Sequence, residues 1–135
     1  MNYWLVKSDP DTYSWDKMVQ DKRTFWDGVR NFQARNYLKE MKIGDLVLFY
    51  HSQSEKSIVG ITKVVKEHYP DPTTDDNRWV VVDLEALESI KKPVSLESIK
   101  TNPILSKLPL VTQQRLSVMP LSKEQYDEVI NLASF

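Results

Sequence analysis

No cysteine occurs in the chain, which excludes disulfide staples, thiolate catalysis and every cysteine-ligated zinc site. At 135 residues a chain buries about two thirds of the surface its unfolded form exposes, enough for a core without such staples. Glycine is nearly as scarce, with only Gly28, Gly44 and Gly60. The glycine-dependent phosphate cradles and nucleophile elbows (GxGxxG, GxxxxGK, GxSxG) are therefore absent, as is the HExxH zinc motif. The two histidines, His51 and His68, fall on separate elements without a carboxylate cluster at ligand spacing, so neither a metal nor another cofactor is expected. His51 is followed by Ser52, but neighbours on a strand point to opposite faces and cannot share a proton. Apolar residues make up 41% and are interrupted by charge too often for a run of about 18, so no helical membrane span is expected. Met1 to Lys7 carries none of the regions of a secretion signal and reads as a strand from the outset; the expected location is cytoplasmic.

Neither sign of charge dominates. Eighteen basic and 19 acidic residues leave a net charge of −1, which argues against coating nucleic acid by global attraction. The distribution is uneven: Lys22, Arg23, Arg30, Arg35, Lys39 and Lys42 meet only Asp27 and Glu40 in their stretch, whereas Asp71 to Glu88 holds six acids and one base, Arg78. Such polarity orients a polyanion onto one face. It is also the pattern of two solvated faces.

What is present is a change of period along the chain. Tyr3 to Ser8 is aromatic and β-branched and reads as a strand, stopped by Asp9-Pro10-Asp11. Ser14 caps a short helix carrying Trp15, Met18 and Val19. Asp27-Gly28 marks a turn, and Asn31 caps a second helix in which Ala34, Leu38 and Met41 recur at i, i+4 and i+7, ended by Gly44 near its C-cap. Leu46 to His51 reads as a strand buried on both faces, and Ile58 to Lys66 as another, in which Gly60 marks a bulge or a close approach to the backbone. Residues 70–77 form a polar loop before a strand from Trp79 to Leu87, so four strands surround one helical insertion, Ser14 to Met41. Val94 to Lys100 predicts a short helical turn, Asn102-Pro103 a helix start, and Leu116 to Val118 a short strand. Ser122 and Gln125 form a capping box opening a final amphipathic helix through Tyr126, Val129, Ile130 and Ala133. No repeat or linker divides the chain, which reads as one domain, 1–135.

Aromatic residues lie beside polar ones at element ends. Trp26 to Asn31 gathers an indole, a turn, a guanidinium and an amide, and Tyr50-His51-Ser52 places donors and acceptors at a strand end. These are tools for a flat heterocycle: a ring stacks on the base while Asn, Ser and His read its edge. Trp4, Trp15 and Trp79 begin or line periodic segments and read as core; Trp26, in irregular chain, suits core or function equally.

Tyr3-Trp4-Leu5-Val6-Lys7-Ser8-Asp9-Pro10, Trp26 to Asn36, Gly44-Asp45, Phe49-Tyr50-His51-Ser52, Ile58-Val59-Gly60, Tyr69-Pro70-Asp71-Pro72 and Arg115-Leu116-Ser117-Val118 occur in an order that resembles the EVE domain. The likeness runs from Tyr3 to about Ile130; the family motif reads Lys-Ser-Glu-Pro where this chain has Asp9. The resemblance implies an α+β, PUA-like fold: a small mixed β-barrel with helices inserted after the first strand and a C-terminal helix. It implies a non-catalytic reader of a modified base, methylated or oxidised cytosine above all, in DNA or RNA. Carried over residue by residue, the pocket comprises Lys7, Ser8, Trp26, Val29, Arg30, Asn31, Tyr50, His51, Ser52, Arg115, Leu116 and Ser117. Arg23, Arg35, Lys39 and Lys42 are expected to hold phosphates and set register. The expected partner is nucleic acid with a modified base, single-stranded or flipped, with a restriction-type effector beside a monomeric chain. The competing readings are a nucleotide hydrolase or ribonuclease on a similar barrel, using Lys7, His51 or a nearby acid as general acid and base, and an adaptor for a protein or small molecule.

Overall fold

The computed structural model describes residues 1–53 and 55–133; the last two positions of the expected domain lie outside the described residues. In chain order the elements are β1 (Tyr3–Ser8), α1 (Trp15–Asp21), β2 (Arg23–Phe25), α2 (Phe32–Glu40), β3 (Leu46–His51), β4 (Ser57–Pro70), β5 (Val80–Ser95), α3 (Leu96–Thr101), α4 (Pro109–Thr112), β6 (Val118–Leu121) and α5 (Lys123–Ala133). The strands form one mixed sheet in the order β2-β5-β4-β3-β1-β6. β1 runs parallel to β3 and antiparallel to β6. The architecture is α+β and PUA-like, barrel-like but left open between the edge strands β2 and β6.

The helix starts follow local chemistry. Ser14 accepts from the Lys17 N–H at 3.1 Å and Asn31 from the Ala34 N–H at 2.9 Å, each satisfying a first-turn donor that has no partner within the helix. Ser122 and Gln125 form the reciprocal capping box at 2.9 and 3.1 Å. α2 buries Ala34 and Leu38 and is followed by buried Met41. It ends at Glu40 with Met41 extended, and Gly44, at φ +94°, turns the chain into β3 instead of capping the helix. Asp45 fixes that junction by accepting from the Trp4 indole and from the Asn2 and Lys42 amides, each at 3.0 Å.

Several expected elements shift. Arg23–Phe25 is an edge strand on β5, too short to show a period in sequence. β4 and β5 run on to Pro70 and Ser95, because cross-strand pairing carries their polar second halves. Val19 is exposed while Trp15 and Met18 are buried. Asn102 opens a turn instead of a helix, its side chain accepting from the Ile104 and Leu105 amides, and the final strand begins at Val118.

Gly60 is where backbone and ring meet. A Cβ there would lie 2.3–2.4 Å from three atoms of the Trp15 indole, so that ring rests on bare backbone. The indole is held from its other sides, donating to Ser89 Oγ at 2.9 Å and meeting Phe49 edge-on at 5.2 Å. Register shifts at Phe49/Tyr50 and Ile58/Gly60 bend the sheet around this point. Gly60→Ala is therefore expected to destabilise by about 1–3 kcal/mol, the usual range for overpacking. Equilibrium denaturant unfolding checks this; an unchanged midpoint would show that Trp15 moves freely.

Candidate functional site

The parallel register of β1 and β3 sets Lys7 beside Tyr50 and Ser8 beside His51. Past Ser8 the chain turns sharply, with the Asp9 carbonyl accepting from the Thr12 and Tyr13 amides at 2.9 and 2.8 Å. Ser8 Oγ donates to the Tyr13 carbonyl at 2.5 Å, folding that loop back over the strand end. Across from it, the Trp26 amide extends the β2 ladder to the Val82 carbonyl at 2.8 Å. Gly28 then adopts φ +78°, the left-handed region that favours glycine, and turns the chain into Val29. Between the loops lies a cleft of about 420 Å³, within the range of small-molecule sites. Ser117 closes it, its carbonyl accepting from the Lys7 amide at 2.9 Å.

Trp26 forms the aromatic wall. It is only 8% exposed, packed edge-on against Phe49 at 5.5 Å and Tyr13 at 6.2 Å. The indoles of Trp4 and Trp15 spend their N–H groups on Asp45 and Ser89. That of Trp26 has no such partner, and among the described residues no buried side-chain polar atom lacks one, so the Trp26 donor is accessible to solvent. Phe25, 41% exposed, lines the same cleft. The Tyr13 hydroxyl donates to Asp21 at 2.9 Å. Burial first, then the hydrogen bond and charge of Asp21, push its pKa up to about 12, so it remains a neutral phenol at physiological pH. Asp9, Asp27, Thr12 and Thr24 complete the polar lining; carboxylates are the side chains that accept from the exocyclic amine of cytosine.

The Gly28–Val29 lip is anchored from beneath by Asp71, whose side chain is fully buried. It accepts from the Thr73 amide and hydroxyl at 2.7 and 2.5 Å, from Arg30 Nη1 at 3.1 Å and from the Gly28 amide at 3.4 Å. Burial pushes its pKa up, but these four donors outweigh burial and hold it below the ordinary carboxylate value.

Five of the expected pocket residues, Lys7, Ser8, Trp26, Val29 and Ser117, meet at this cleft. Others are placed elsewhere. Arg30 is directed to Asp71 and stacks over Trp79 at 5.6 Å. Asn31 is occupied as the α2 cap. Tyr50 and Ser52 line a second cavity of about 210 Å³, reached across Lys7. His51 is buried; its Nε2 accepts from the Trp15 amide at 3.0 Å and its Nδ1 faces Glu55 at 3.3 Å, so it pins the start of α1. Leu116 is core and Arg115 is exposed, and neither lines either cavity.

The expected phosphate residues are spread and partly engaged. Arg23 pairs with Asp83 at 2.8 Å, and Arg35 covers Phe32 at 4.9 Å while donating to the Arg78 carbonyl. Lys42 lies 3.9 Å from Glu67, and Lys39 is exposed on the last turn of α2, roughly 12 Å along the helix from Asn31 at 1.5 Å per residue. Asp9, Thr12, Tyr13, Thr24, Phe25 and Asp27 line the cleft without having been singled out in the sequence. The adjacent aromatics Phe25 and Trp26 beside a turn were the available signal.

Residues 2–132 match the EVE domain. The chain belongs to the EVE domain family. Mouse thymocyte nuclear protein 1 is 39% identical, the alignment covering 97% of this chain and 73% of that protein. A protein of known structure from Agrobacterium tumefaciens is 43% identical with a TM-score of 0.96, over 100% of this chain and 94% of that one. The crystal structure of the human THYN1 protein in complex with DNA containing 5-methylcytosine is 34% identical, with a TM-score of 0.91, over 100% of this EVE domain and 99% of that chain. The cytoplasmic expectation is corrected by these comparisons, since the curated relatives from mouse, chicken and human are named as nuclear proteins. A missing secretion signal, on which that expectation rested, does not separate cytoplasm from nucleus.

Proposed function

We propose that this EVE domain binds a modified cytosine of DNA, with the base seated in the Trp26 cleft, and that it reads the base without converting it. The observation that carries this reading is the cleft itself: an indole wall, exposed Phe25 beside it, and the carboxylates of Asp9 and Asp27 in the lining. Support comes from the likeness, over the whole of this chain, to the human protein in complex with 5-methylcytosine DNA. The enzyme alternative is less well supported, because His51, the histidine named for it, is engaged: its Nε2 accepts from the Trp15 amide. A base must leave its stack to enter, which costs a few kcal/mol, and a chain of net charge −1 has little to offset that. The reading therefore favours single-stranded or already unpaired sites.

The test is titration of matched single-stranded and duplex oligonucleotides carrying cytosine or 5-methylcytosine, followed by analysis of the recovered DNA. One buried methyl group sets a preference on the order of ten-fold. Equal affinity for both would sink the reading of the modification. Recovered DNA with an altered base or broken strand would establish the enzyme instead.

A further inference from the structure

The second cavity differs from the cleft in sign. Its polar lining consists of Lys7, Lys56, Lys100, Tyr50, Ser52 and Gln114, with no carboxylate, whereas the cleft sets Asp9 and Asp27 against a single cation, Lys7. Lys7, Lys56 and Lys100 take part in none of the ion pairs among the described residues. Three lysines lining one concavity without an acid repel one another, and an anion relieves that repulsion. Glu55 and Glu97 line an adjoining, more open groove that shares Lys56 and Lys100, and Glu55 faces His51.

The pocket is also built. Lys7 Nζ gives one proton to the Gln114 carbonyl at 2.6 Å, leaving two for a ligand. The Tyr50 hydroxyl, its pKa raised by burial, remains a donor. The Lys56 backbone takes φ +45° and its carbonyl accepts from the Leu96 amide at 2.8 Å, which holds it to the start of α3. Lys100 lies in the last turn of the same helix.

We propose that this lysine pocket is a phosphate site, holding a phosphodiester of the strand whose base occupies the cleft, with Lys7 as the wall shared by base and phosphate. The assignment rests on the cleft being the base site. It runs the backbone past the ends of β1 and β3 toward α3, away from Arg35, Lys39 and Lys42 on the α2 side.

The experiment measures affinity for a single-stranded oligonucleotide, with cytosine or 5-methylcytosine, against salt concentration. Each phosphate neutralised contributes about 0.7 to the slope of log K on log salt for single strands. Lys56→Gln/Lys100→Gln, which takes two of the three lysines from one phosphodiester, is expected to flatten the slope by about 0.7, so the loss between about 50 and 200 mM salt shrinks about 2.6-fold. The ratio of modified to unmodified affinity should stay unchanged, and Lys39→Gln/Lys42→Gln should keep the wild-type slope. A Lys56→Gln/Lys100→Gln protein with the wild-type slope overturns the proposal. If wild type shows no preference for the modified base while the double variant still flattens the slope, the reading of the cleft fails and the phosphate site stands. Inorganic phosphate and a nucleoside 5′-monophosphate are titrated in parallel. Binding of either that depends on Lys56 and Lys100, with the oligonucleotide slope indifferent to them, assigns the pocket to a free anion and overturns the strand path.

Discussion

Trp26→Ala is expected to weaken binding of a modified single-stranded oligonucleotide by roughly 5- to 150-fold, the equivalent of about 1–3 kcal/mol of base–aromatic stacking. The indole serves two purposes, because it lines the cleft and also packs in edge-to-face contact with Phe49 and Tyr13. Truncating it should therefore also cost about 3–5 kcal/mol of stability, as other large aromatic deletions do. Two further variants separate the roles. Phe25→Ala removes an exposed ring from the same cleft and should weaken binding with little change in stability. Asn31→Ala removes the α2 cap and should cost about 1 kcal/mol of stability with binding unchanged. Titrations well below each melting temperature, with circular dichroism to establish folding, decide the matter. A folded Trp26→Ala protein that binds as tightly as wild type would remove the indole from the site.

Asp71→Ala should be the most destabilising substitution in the loop beneath the cleft. It leaves Arg30, the Gly28 amide and both Thr73 donors without their acceptor. Breaking a buried charge pair costs about 3–5 kcal/mol, and the lower end applies because the Arg30 side chain is 40% exposed and recovers water. Oligonucleotide binding should fall as well, since the Gly28–Val29 lip loses its anchor. The charge has its own signature. Four donors outweigh burial and hold the folded carboxyl below its unfolded value of about 3.9. Its contribution is therefore fully present above that value and is lost as pH falls through the folded value. Asp76, held at about 2 by its hydrogen bonds from Arg78, titrates over the same acid range, so the comparison must be a difference. Melting temperatures between about pH 6 and 2 should fall more steeply for wild type than for Asp71→Asn. Parallel profiles would show that the buried carboxylate contributes no pH dependence.

Whatever depended on interactions within a few residues was legible beforehand. Ser14, Asn31 and the Ser122/Gln125 pair acted as the caps their side chains suited. Tyr3–Ser8 and Leu46–His51 formed strands with the expected bounds. Gly60 marked a close approach without naming the visitor, Trp15, since only the fold brings a residue so far away in sequence to that backbone. The pocket was harder to read. Trp26 stood out as an aromatic in irregular chain beside a turn, and Val29 came only from the family resemblance. Tyr50-His51-Ser52 looked like one polar group, but strand and fold send His51 into the core and Tyr50 and Ser52 to another cavity.

The sequence by itself determined the family, through ordered blocks that run nearly its whole length, and the helix starts and central strands, through caps and period. Tertiary structure alone decided which polar groups share a cavity. Arg30, adjacent to the cleft residues in sequence, is bound to Asp71, while Asp9, past the end of β1, joins Phe25 and Asp27 from the end of β2 in the cleft. It also decided where cations stay free: the conspicuous basic stretch from Lys22 to Lys42 is partly neutralised by Asp83 and Glu67, and the acid-free concavity is assembled from Lys7, Lys56 and Lys100. The reason is that a side chain's free valence is set by what folds against it, and for Arg23 and Lys42 that partner lies on another strand, 60 and 25 positions away.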